Sequence, residues 1–550
     1  MVTDVLREMM NAALSAAAVD GAIALEAMPP VEFERPRKRE HGDWSTNVAL
    51  AAGRGGDNPR TVAQALIDRL PPSDMVESVE IAGPGFLNFR LAPKWLHDVV
   101  VRASDPESGF GRTDEGAGIK VNVEYVSANP TGPISVVSGR HAAVGDALSN
   151  LLEATGHEVV REYYVNDVGR QMRLFARSLS VRYLDLFGVP GEIPEDGYQG
   201  DYVTVLARRL AEELGDRLVH ATEEEREATM RRIGLERMLA EMRASLEKFG
   251  THHQVWFLES SLKESGATRS AIEKLEAGGW VEERDGARWF LSSRLGDDKD
   301  RVLVRSSGEP TYLASDSAYL LDKTHRGFDR LIYILGAGHH GAVPRWLAAA
   351  EALGIDRSRV EMPLIQNISL VRAGVTVKAS KRAGNVVPLD ELVDEVGVDA
   401  ARYNFLNRSL ESPLEFDIEL VKREAPENPV YYVQYAHARI SSILKKAEGK
   451  ALRVQDAELG MLTHEREDSL MRKLAAYEET VPDAAHRRAP QRLTRYIEEL
   501  ATDFSAFYRD CKVVTEDQQL SKARLRLCLA TKSVLADGLS ILGVSAPERM

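Results

Sequence analysis

VNVEYVSANPTGPISVVSGRHAAVG, residues Val121 to Gly145, is the most informative stretch of this chain. Apolar residues alternate at its start, which predicts a β-strand over Ile119 to Val126. A loop with proline and glycine follows, and then a helical pattern from about Gly139 to Ala154. A strand, a loop and a helix in this order are typical of the opening unit of a doubly wound, Rossmann-like α/β sheet. We therefore predict a nucleotide-binding domain that begins near Ile119.

Length and composition limit the possible classes of protein. A chain of 550 residues is too long for one hydrophobic core, so we expect several domains. The formal net charge of −14 argues against nonspecific binding of nucleic acid, although structured RNA can still be read through local basic and aromatic patches. No apolar run is long enough to span a membrane, and Cys511 and Cys528 form neither a CxxC pair nor a disulfide framework. These features predict a cytoplasmic protein with no membrane contact and no structural metal.

The rest of the chain falls into segments with different patterns. Further strands are predicted at Val302 to Arg305, Leu331 to Leu335 and Met362 to Ile368. Residues from about Val189 to Arg294 are charged and helical, which indicates an insertion in the sheet domain, and the pattern after about Asp417 is helical to the end. The N-terminal part contains a helical opening, a Gly-Asp turn at residues 42–43, a helix over residues 61–70 and a strand-like VEIAGPGFLNFRL.

A second motif is KASKR, at Lys378 to Arg382. With the first stretch quoted above, it gives the chain a resemblance to the class I arginyl-tRNA synthetases of bacteria. This resemblance covers essentially all 550 residues. The resemblance implies an α/β fold: a doubly wound, Rossmann-like class I synthetase catalytic domain, an N-terminal α+β module and a C-terminal all-α anticodon-binding domain. The implied boundaries are residues 1–103 for a module that binds the tRNA elbow, 104–118 for a linker, 119–417 for the catalytic domain with its insertion near 189–294, and 418–550 for the anticodon-binding domain.

The same resemblance implies a pocket for L-arginine. A guanidinium is planar and always charged, so its selection over lysine requires carboxylates and other acceptors in a fork-like arrangement. Tyr312 and Asp316 are four residues apart, which places them on one face of a predicted helix. The positions implied to bind arginine are Glu124, Ser127, Asn129, Tyr312, Asp316 and His339. His339 and His340 have no other ligand type nearby in the sequence, so we predict no metal site there.

The implied ATP site departs from the family pattern. The family's His-Ile-Gly-His signature is replaced by Ser-Val-Val-Ser at residues 135–138, although the helix N-terminus is still expected to bind an anion. Serine can donate a hydrogen bond but cannot become cationic, and the loss of one donor to a transition state costs about 2.7–4 kcal/mol. We therefore predict weakened adenylation. The implied catalytic residues are Ser135, Ser138, Lys378, Ser380 and Lys381, and the implied ATP-binding residues are Ser135, Val137, Ser138, Lys378 and Lys381.

Four other residues of the implied ATP site also affect the prediction of weakened adenylation. Arg140 and His141 follow the altered signature and are further candidates for phosphate binding. Gly338 stands where the family usually has Asp, and Ala379 replaces the methionine of the lysine loop. ATP, as a substrate with Mg²⁺, is carried over from the family.

The remaining implied partner is an arginine tRNA, bound by a monomer. Tyr431, Tyr432, Tyr435 and Arg439 open the helical tail and are candidates to stack on unpaired anticodon bases. The alternative for each tyrosine is a place in the helix core. Three functions stay open: an arginine–tRNA ligase, a paralogue that binds arginine or tRNA in a regulatory or specialised biosynthetic role without efficient aminoacylation, and an enzyme of another arginine-dependent reaction.

Overall fold

The computed structural model describes residues 2–25, 27–36, 38–53, 58–377, 387–448 and 452–550. The predicted loop residues Lys378, Ser380 and Lys381 lie outside this part of the chain. The helices are α1 (Val2–Val19), α2 (Val48–Ala52), α3 (Pro59–Ile67), α4 (Lys94–Ala103), α5 (Val136–Ala154), α6 (Gly169–Asp185), α7 (Asp201–Leu214), α8 (Glu223–Lys248), α9 (Glu259–Glu264), α10 (Ala267–Ala277), α11 (Tyr312–His325), α12 (Val343–Ala352), α13 (Leu389–Val396), α14 (Val398–Leu406), α15 (Ile418–Val421), α16 (Pro429–Glu448), α17 (Glu465–Ala475), α18 (Tyr477–His486), α19 (Gln491–Asp510) and α20 (Gln518–Ile541).

The strands are short, and they belong to several separate sheets. They are β1 (Trp44–Thr46), β2 (Val76–Ala82), β3 (Phe86–Leu91), β4 (Lys120–Glu124), β5 (Glu158–Val165), β6 (Val255–Leu258), β7 (Val281–Arg284), β8 (Ala287–Phe290), β9 (Arg301–Val304), β10 (Arg330–Tyr333), β11 (Leu335–Gly336), β12 (Val360–Glu361), β13 (Leu364–Ile365), β14 (Ile368–Arg372), β15 (Val375–Thr376) and β16 (Leu414–Asp417). The chain forms two compact units: Met1–Phe110 with Ile440–Glu478 and Thr502–Val534, and Gly111–Arg439 with Glu479–Ala501 and Leu535–Met550.

The first unit contains a three-stranded antiparallel sheet in the order β1-β3-β2. The predicted Gly-Asp turn leads into β1, and a side chain at Gly42 would meet the carbonyl oxygen of Phe89 at 2.6 Å. Glycine is therefore required there, at a φ of 94°. The strand-like segment VEIAGPGFLNFRL is two strands, β2 and β3, rather than one, because its Gly-Pro-Gly sequence makes a hairpin turn.

The second unit is built on a five-stranded parallel sheet in the order β12-β10-β4-β5-β6. This confirms the predicted Rossmann-like fold class. From β4 the chain adds β5 and β6 on one side and later adds β10 and β12 on the other side. The order therefore reverses between β4 and β10, and ligands bind beyond the carboxyl ends of the strands at such a switch point.

Helix α5 follows β4 and packs closely on its end. A side chain at Gly145 would meet the ring of Tyr125 at 2.1 Å, so only glycine allows this approach. The helix begins at Val136, three residues before the predicted start, because the side chain of Ser135 accepts a hydrogen bond from the backbone of Ser138 and caps it.

Several predicted strands lie elsewhere than expected. Residues 189–294 contain the helices α7, α8 and α10, but they also contain strands. Strand β6 is an edge strand of the parallel sheet, and β7 pairs with β8. The strand predicted at Val302 to Arg305 is β9, and it joins that antiparallel pair rather than the parallel sheet. The segment Met362 to Ile368 is broken into short strands, since Pro363 has no N–H to donate.

The tail after β16 is helical, as predicted, with α15 to α20 as its helices among the described residues. In the first unit, Arg102 of α4 forms two hydrogen bonds to the carboxylate of Glu478, with N–O distances of 2.5 and 3.0 Å. No helix in the described part of the chain is both long and apolar enough to cross a membrane.

Candidate active site

A small cavity lies at the switch point of the parallel sheet. Glu124 ends β4, Tyr333 ends β10, and the two residues are paired in register. The cavity has a volume of about 50 Å³, which is room for roughly three or four waters, or for one guanidinium group. Its lining residues are Glu124, Tyr164, Asp316, Tyr319, Leu320, Tyr333 and Trp346.

Glu124 is buried, and both of its oxygens have partners. Oε2 accepts a hydrogen bond from the Lys323 ammonium at 2.7 Å, and Oε1 accepts one from the Ser127 hydroxyl at 3.1 Å. Lys323 is fully buried, so its positive charge is balanced inside the protein rather than by water. The carboxylate of Glu124 is therefore fixed in position at the wall of the cavity.

The loop after β4 has an unusual backbone. Val126 and Ser127 have φ angles of 70° and 39°, a left-handed conformation that is rare for residues with a side chain and costly for a β-branched one. Such strain persists where the surrounding structure imposes it, and it is often found at functional sites. Here the Ser127 hydroxyl accepts a hydrogen bond from the Tyr164 N–H at 3.1 Å, which holds the loop against β5.

Burial favours the protonated form of two other carboxyl groups at or near the cavity. Burial raises the pKa of Asp316 to about 7, although Trp346 donates a hydrogen bond to it. Burial also raises the pKa of Glu259, against hydrogen bonds from Tyr164 and Ser315. Among the described residues, no cation forms an ion pair with Asp316. The cavity therefore offers acidic acceptors to a ligand that brings a positive charge.

Four residues predicted to bind arginine are absent from the lining of this cavity: Ser127, which contacts Glu124, and the three described next. Tyr312 is the first residue of α11 and is exposed. The Asn129 amide donates to Gln171 Oε1 at 2.6 Å, and His339 is exposed in the turn Ala337–Ala342. Arginine binding by these three residues stays a prediction, while Glu124, Ser127 and Asp316 are brought together at the cavity.

The N-terminus of α5 has fewer free donors than we predicted for an anion site. The Val136 N–H donates to the Val387 carbonyl at 3.1 Å, and the Ser138 N–H donates to the Ser135 hydroxyl at 3.2 Å. The Ser135 and Ser138 hydroxyls are also 3.1 Å apart and share a hydrogen bond. Of the first three N–H groups of this helix, only that of Val137 has no partner among the described residues. The side chain of Val137 is exposed.

The segment just after the KASKR motif lies beside this helix start. The Leu389 N–H donates to the Ile134 carbonyl at 2.8 Å, and Ser135 and Pro388 form an isolated antiparallel bridge. Residues 387–389 are thus hydrogen-bonded or bridged to the start of α5, a contact that the separation of more than 200 residues did not reveal.

Arg140 is not available to bind phosphate, contrary to our expectation. Its guanidinium is buried and donates to the carbonyl oxygens of Gln366, Ser409 and Ser412, at 2.7, 3.1 and 3.2 Å. Burial lowers the pKa of His141 to about 4, so this imidazole is neutral at pH 7. Neither residue supplies a mobile positive charge to the start of α5.

Comparison with known proteins identifies the family. Residues 4–91 match the "Arginyl tRNA synthetase N terminal domain", residues 111–411 match "tRNA synthetases class I (R), catalytic domain", and residues 433–550 match the "DALR anticodon binding domain". The chain belongs to the class I arginyl-tRNA synthetases. It is 46% identical to the arginine–tRNA ligase of Carboxydothermus hydrogenoformans over 94% of either chain, and 44% identical to that of Moorella thermoacetica over 98% of this chain and 97% of the relative.

Solved structures show the same synthetase architecture. A putative arginyl-tRNA synthetase from Campylobacter jejuni is 33% identical, with a TM-score of 0.78 over 84% of this chain and 100% of the other. The match to the arginyl-tRNA synthetase of Thermus thermophilus covers 100% of both chains, also with a TM-score of 0.78. The identity is 23%, so this match supports the fold alone.

Helix α16, in the synthetase's tail, carries a stacked row of side chains. The rings of Tyr431 and Tyr435 are 6.0 Å apart and nearly parallel, at 10°, and the Arg439 guanidinium lies 4.6 Å from the centre of the Tyr435 ring. These residues recur every four positions and so share one face of α16. Tyr435 is exposed, which excludes a place in the core for this tyrosine. A role in tRNA binding for Tyr431, Tyr432, Tyr435 and Arg439 stays a prediction.

Several residues in and around this cavity could not be assigned from the sequence. Tyr319 and Lys323 lie three and seven positions after Asp316, so the periodicity of α11 could have placed them on the same face. The others come from separate elements, and no local pattern connects them with Glu124: Tyr164, Glu259, Tyr333 and Trp346.

Proposed function

We propose that this protein is an arginine–tRNA ligase, which uses ATP to join L-arginine to an arginine tRNA and releases AMP and pyrophosphate. The observation that carries the proposal is the acidic cavity at the switch point of the sheet, where Glu124 and Asp316 face a space of guanidinium size. Relatives that match nearly the full length are arginine–tRNA ligases. No observation favours a regulatory paralogue or another arginine-dependent reaction.

In the first step, the pocket holds the arginine side chain and leaves its α-carboxylate free to react. A carboxylate oxygen attacks the α-phosphorus of ATP, the bond from that phosphorus to pyrophosphate breaks, and pyrophosphate leaves. The protein accelerates this step by positioning two anions and by stabilising the charge on the leaving group. The Val137 N–H and the hydroxyls of Ser135 and Ser138 are the donors proposed for this role at α5, with Lys378 and Lys381 from the second motif.

In the second step, a hydroxyl of the terminal ribose of the tRNA attacks the carbonyl carbon of the adenylate, and AMP leaves. Mg²⁺ accompanies ATP, and its charge offsets that of the phosphate oxygens. No group of three or more His, Cys, Asp or Glu side chains suited to a metal ion lies within the described residues. Tyr431, Tyr435 and Arg439 are proposed to stack with unpaired bases of the tRNA. The protein is proposed to act as a monomer in the cytoplasm.

Calorimetry with the purified protein tests the pocket directly. L-arginine should bind, and L-lysine should bind at least about tenfold more weakly, because only the planar guanidinium can reach two carboxylates at once. Titrations are made alone and with tRNA and a non-hydrolysable ATP analogue. Equal affinities for lysine and arginine, or no binding of either under both conditions, would contradict the assignment of the pocket.

The affinity for arginine should also depend on pH. Burial holds the pKa of Asp316 near 7, and a guanidinium binds its ionised form, so the association constant should rise with pH up to about 7 and then level off. Below pH 6 the change should approach tenfold per pH unit. Calorimetry between pH 5 and 8 measures this profile. The variant Asp316→Asn should bind more weakly with a flat profile; an unchanged slope would assign the titration to another group.

A further inference from the structure

Lys323 places an ammonium group directly behind the cavity, on the far side of Glu124. Its ammonium lies 2.7 Å from Glu124 Oε2, and 4.3 and 3.9 Å from the ring centres of Tyr319 and Tyr333. The side chain is completely buried on α11. A buried ammonium is costly unless it is paired, so this one depends on Glu124 and on the faces of the two rings.

A neighbouring ion pair shows that Glu124 is the specific partner of Lys323. Glu162, the nearest other buried carboxylate, accepts two hydrogen bonds from the Arg326 guanidinium at 2.7 and 2.8 Å. It also accepts from the Tyr319 hydroxyl at 2.5 Å and from the Asn122 amide at 2.8 Å. Its oxygens are therefore fully used, and Lys323 is left to balance Glu124.

We propose that Lys323 is a positioning residue for the selection of arginine over lysine. Its ammonium occupies Oε2 of Glu124, so the substrate is left Oε1, which also accepts from the Ser127 hydroxyl, together with Asp316. This inference rests on the proposed function and concerns the same pocket, since it assigns a role to a residue that does not line the cavity.

The expected selectivity follows from the shapes of the two cations. A guanidinium spreads its charge over a plane and can donate to Glu124 Oε1 and to Asp316 at the same time. A lysine ammonium is a compact charge, and at Glu124 it would meet a second ammonium on the same carboxylate. Repulsion from Lys323 therefore acts more strongly against lysine than against arginine.

The charged and titratable groups around this pair come from six elements. α11 contributes Tyr319, Asp316 and Asp322 and is directly followed by Arg326, β5 contributes Glu162, and β10 contributes Tyr333. Arg326 and Lys323 lower the pKa of Glu162, against its burial, so this carboxylate stays ionised. Asp316 also interacts electrostatically with Glu259 of α9, Arg345 of α12 and Glu124 of β4.

The variant Lys323→Met tests the proposal, because it removes the charge and keeps a straight side chain of similar length. In pyrophosphate exchange, we expect KM for arginine to rise at least about tenfold with a smaller change in kcat, and the arginine-to-lysine ratio of kcat/KM to fall at least about tenfold. The pH dependence of arginine binding should also change, since the Glu124 carboxylate has lost the cation that balances its charge.

Arg326→Met is the matched control, since it removes a cation from the residue that directly follows α11, and that cation pairs with Glu162 rather than with Glu124. The free energy of unfolding of Arg326→Met should fall. Its arginine-to-lysine ratio of kcat/KM and its pH profile of arginine binding should match those of the unmodified protein. An unchanged ratio and profile in Lys323→Met would overturn the proposal while leaving the ligase function intact. If the unmodified protein itself fails to prefer arginine, the proposed function fails instead.

A double variant keeps the test valid if Lys323→Met does not fold. Glu124→Gln and Glu124→Gln/Lys323→Met are compared, because the double variant has no buried unpaired charge at this position. Lys323 still repels a substrate ammonium in Glu124→Gln but not in the double variant, so the arginine-to-lysine ratio should be lower in the double variant. Equal arginine-to-lysine ratios in the two variants would contradict the proposal.

Discussion

Replacing Glu124 with Gln is expected to lower kcat/KM for arginine in tRNA charging by at least about 100-fold. A hydrogen bond to a charged group contributes about 1.5–3 kcal/mol, and the change also leaves the Lys323 ammonium buried without its anion. Breaking a buried ion pair from one side costs about 3–5 kcal/mol, so the free energy of unfolding should fall by a similar amount. Charging kinetics and denaturant unfolding measure the two effects.

Asp316→Asn is the matched control for this variant. It should also lower kcat/KM for arginine, but it removes a buried carboxyl without exposing an unpaired cation. The raised pKa means that Asp316 contributes stability below its unfolded pKa and loses that contribution as the pH rises through about 7. Above pH 7 the Asn variant should therefore be as stable as the unmodified protein or more stable. A loss of several kcal/mol in this variant would contradict the separation of the two roles.

Restoring the family signature is expected to have the second large effect. The triple variant Ser135→His, Val137→Gly, Ser138→His should raise arginine-dependent, tRNA-stimulated pyrophosphate exchange by at least about 100-fold, the lower end for regaining one transition-state donor. An imidazole can become cationic as charge develops on the phosphates, whereas the present hydroxyls are also engaged with each other. The loss of the Ser135 cap should lower the free energy of unfolding by about 1 kcal/mol.

Two comparisons make this result interpretable. The double variant Ser135→His/Ser138→His, which keeps Val137, should show a smaller increase in pyrophosphate exchange. The exposed Val137 side chain would still lie at the start of α5, where the adenine is expected to approach. If the triple variant folds and binds ATP but exchanges pyrophosphate no faster, the serines are not the limiting groups. Ala379 and Gly338 are then the next positions to restore.

The parallel sheet was predictable from sequence because its central strand, its loop and its first helix are contiguous and strongly patterned. Glu124 could be placed at the end of β4 for the same reason. The start of α5 was misplaced because valines at the first turn do not indicate a helix, and only the hydrogen bond of Ser135 shows the cap. Strand β6 was missed because four residues inside a helical insertion carry too weak a pattern.

The pocket was harder to predict because tertiary contacts create it. Lys323 is separated from Glu124 by 199 residues, and a lysine in a helix is ordinarily solvated. The raised pKa of Asp316 depends on burial, which the sequence does not show. The number of free N–H donors at the start of α5 was overestimated for a similar reason. One of them donates to the carbonyl of Val387, which comes from a distant part of the chain.

The central claim is that this acidic pocket serves an arginine–tRNA ligase. The most direct measurement is the formation of aminoacyl-tRNA by the purified, unmodified protein with ATP, an arginine tRNA transcript and radiolabelled arginine or lysine. We predict ATP-dependent charging with arginine, at least about tenfold less charging with lysine, and a strong loss of charging in Glu124→Gln. Equal charging with both amino acids, or no charging with arginine by folded protein that binds the tRNA, would contradict the claim.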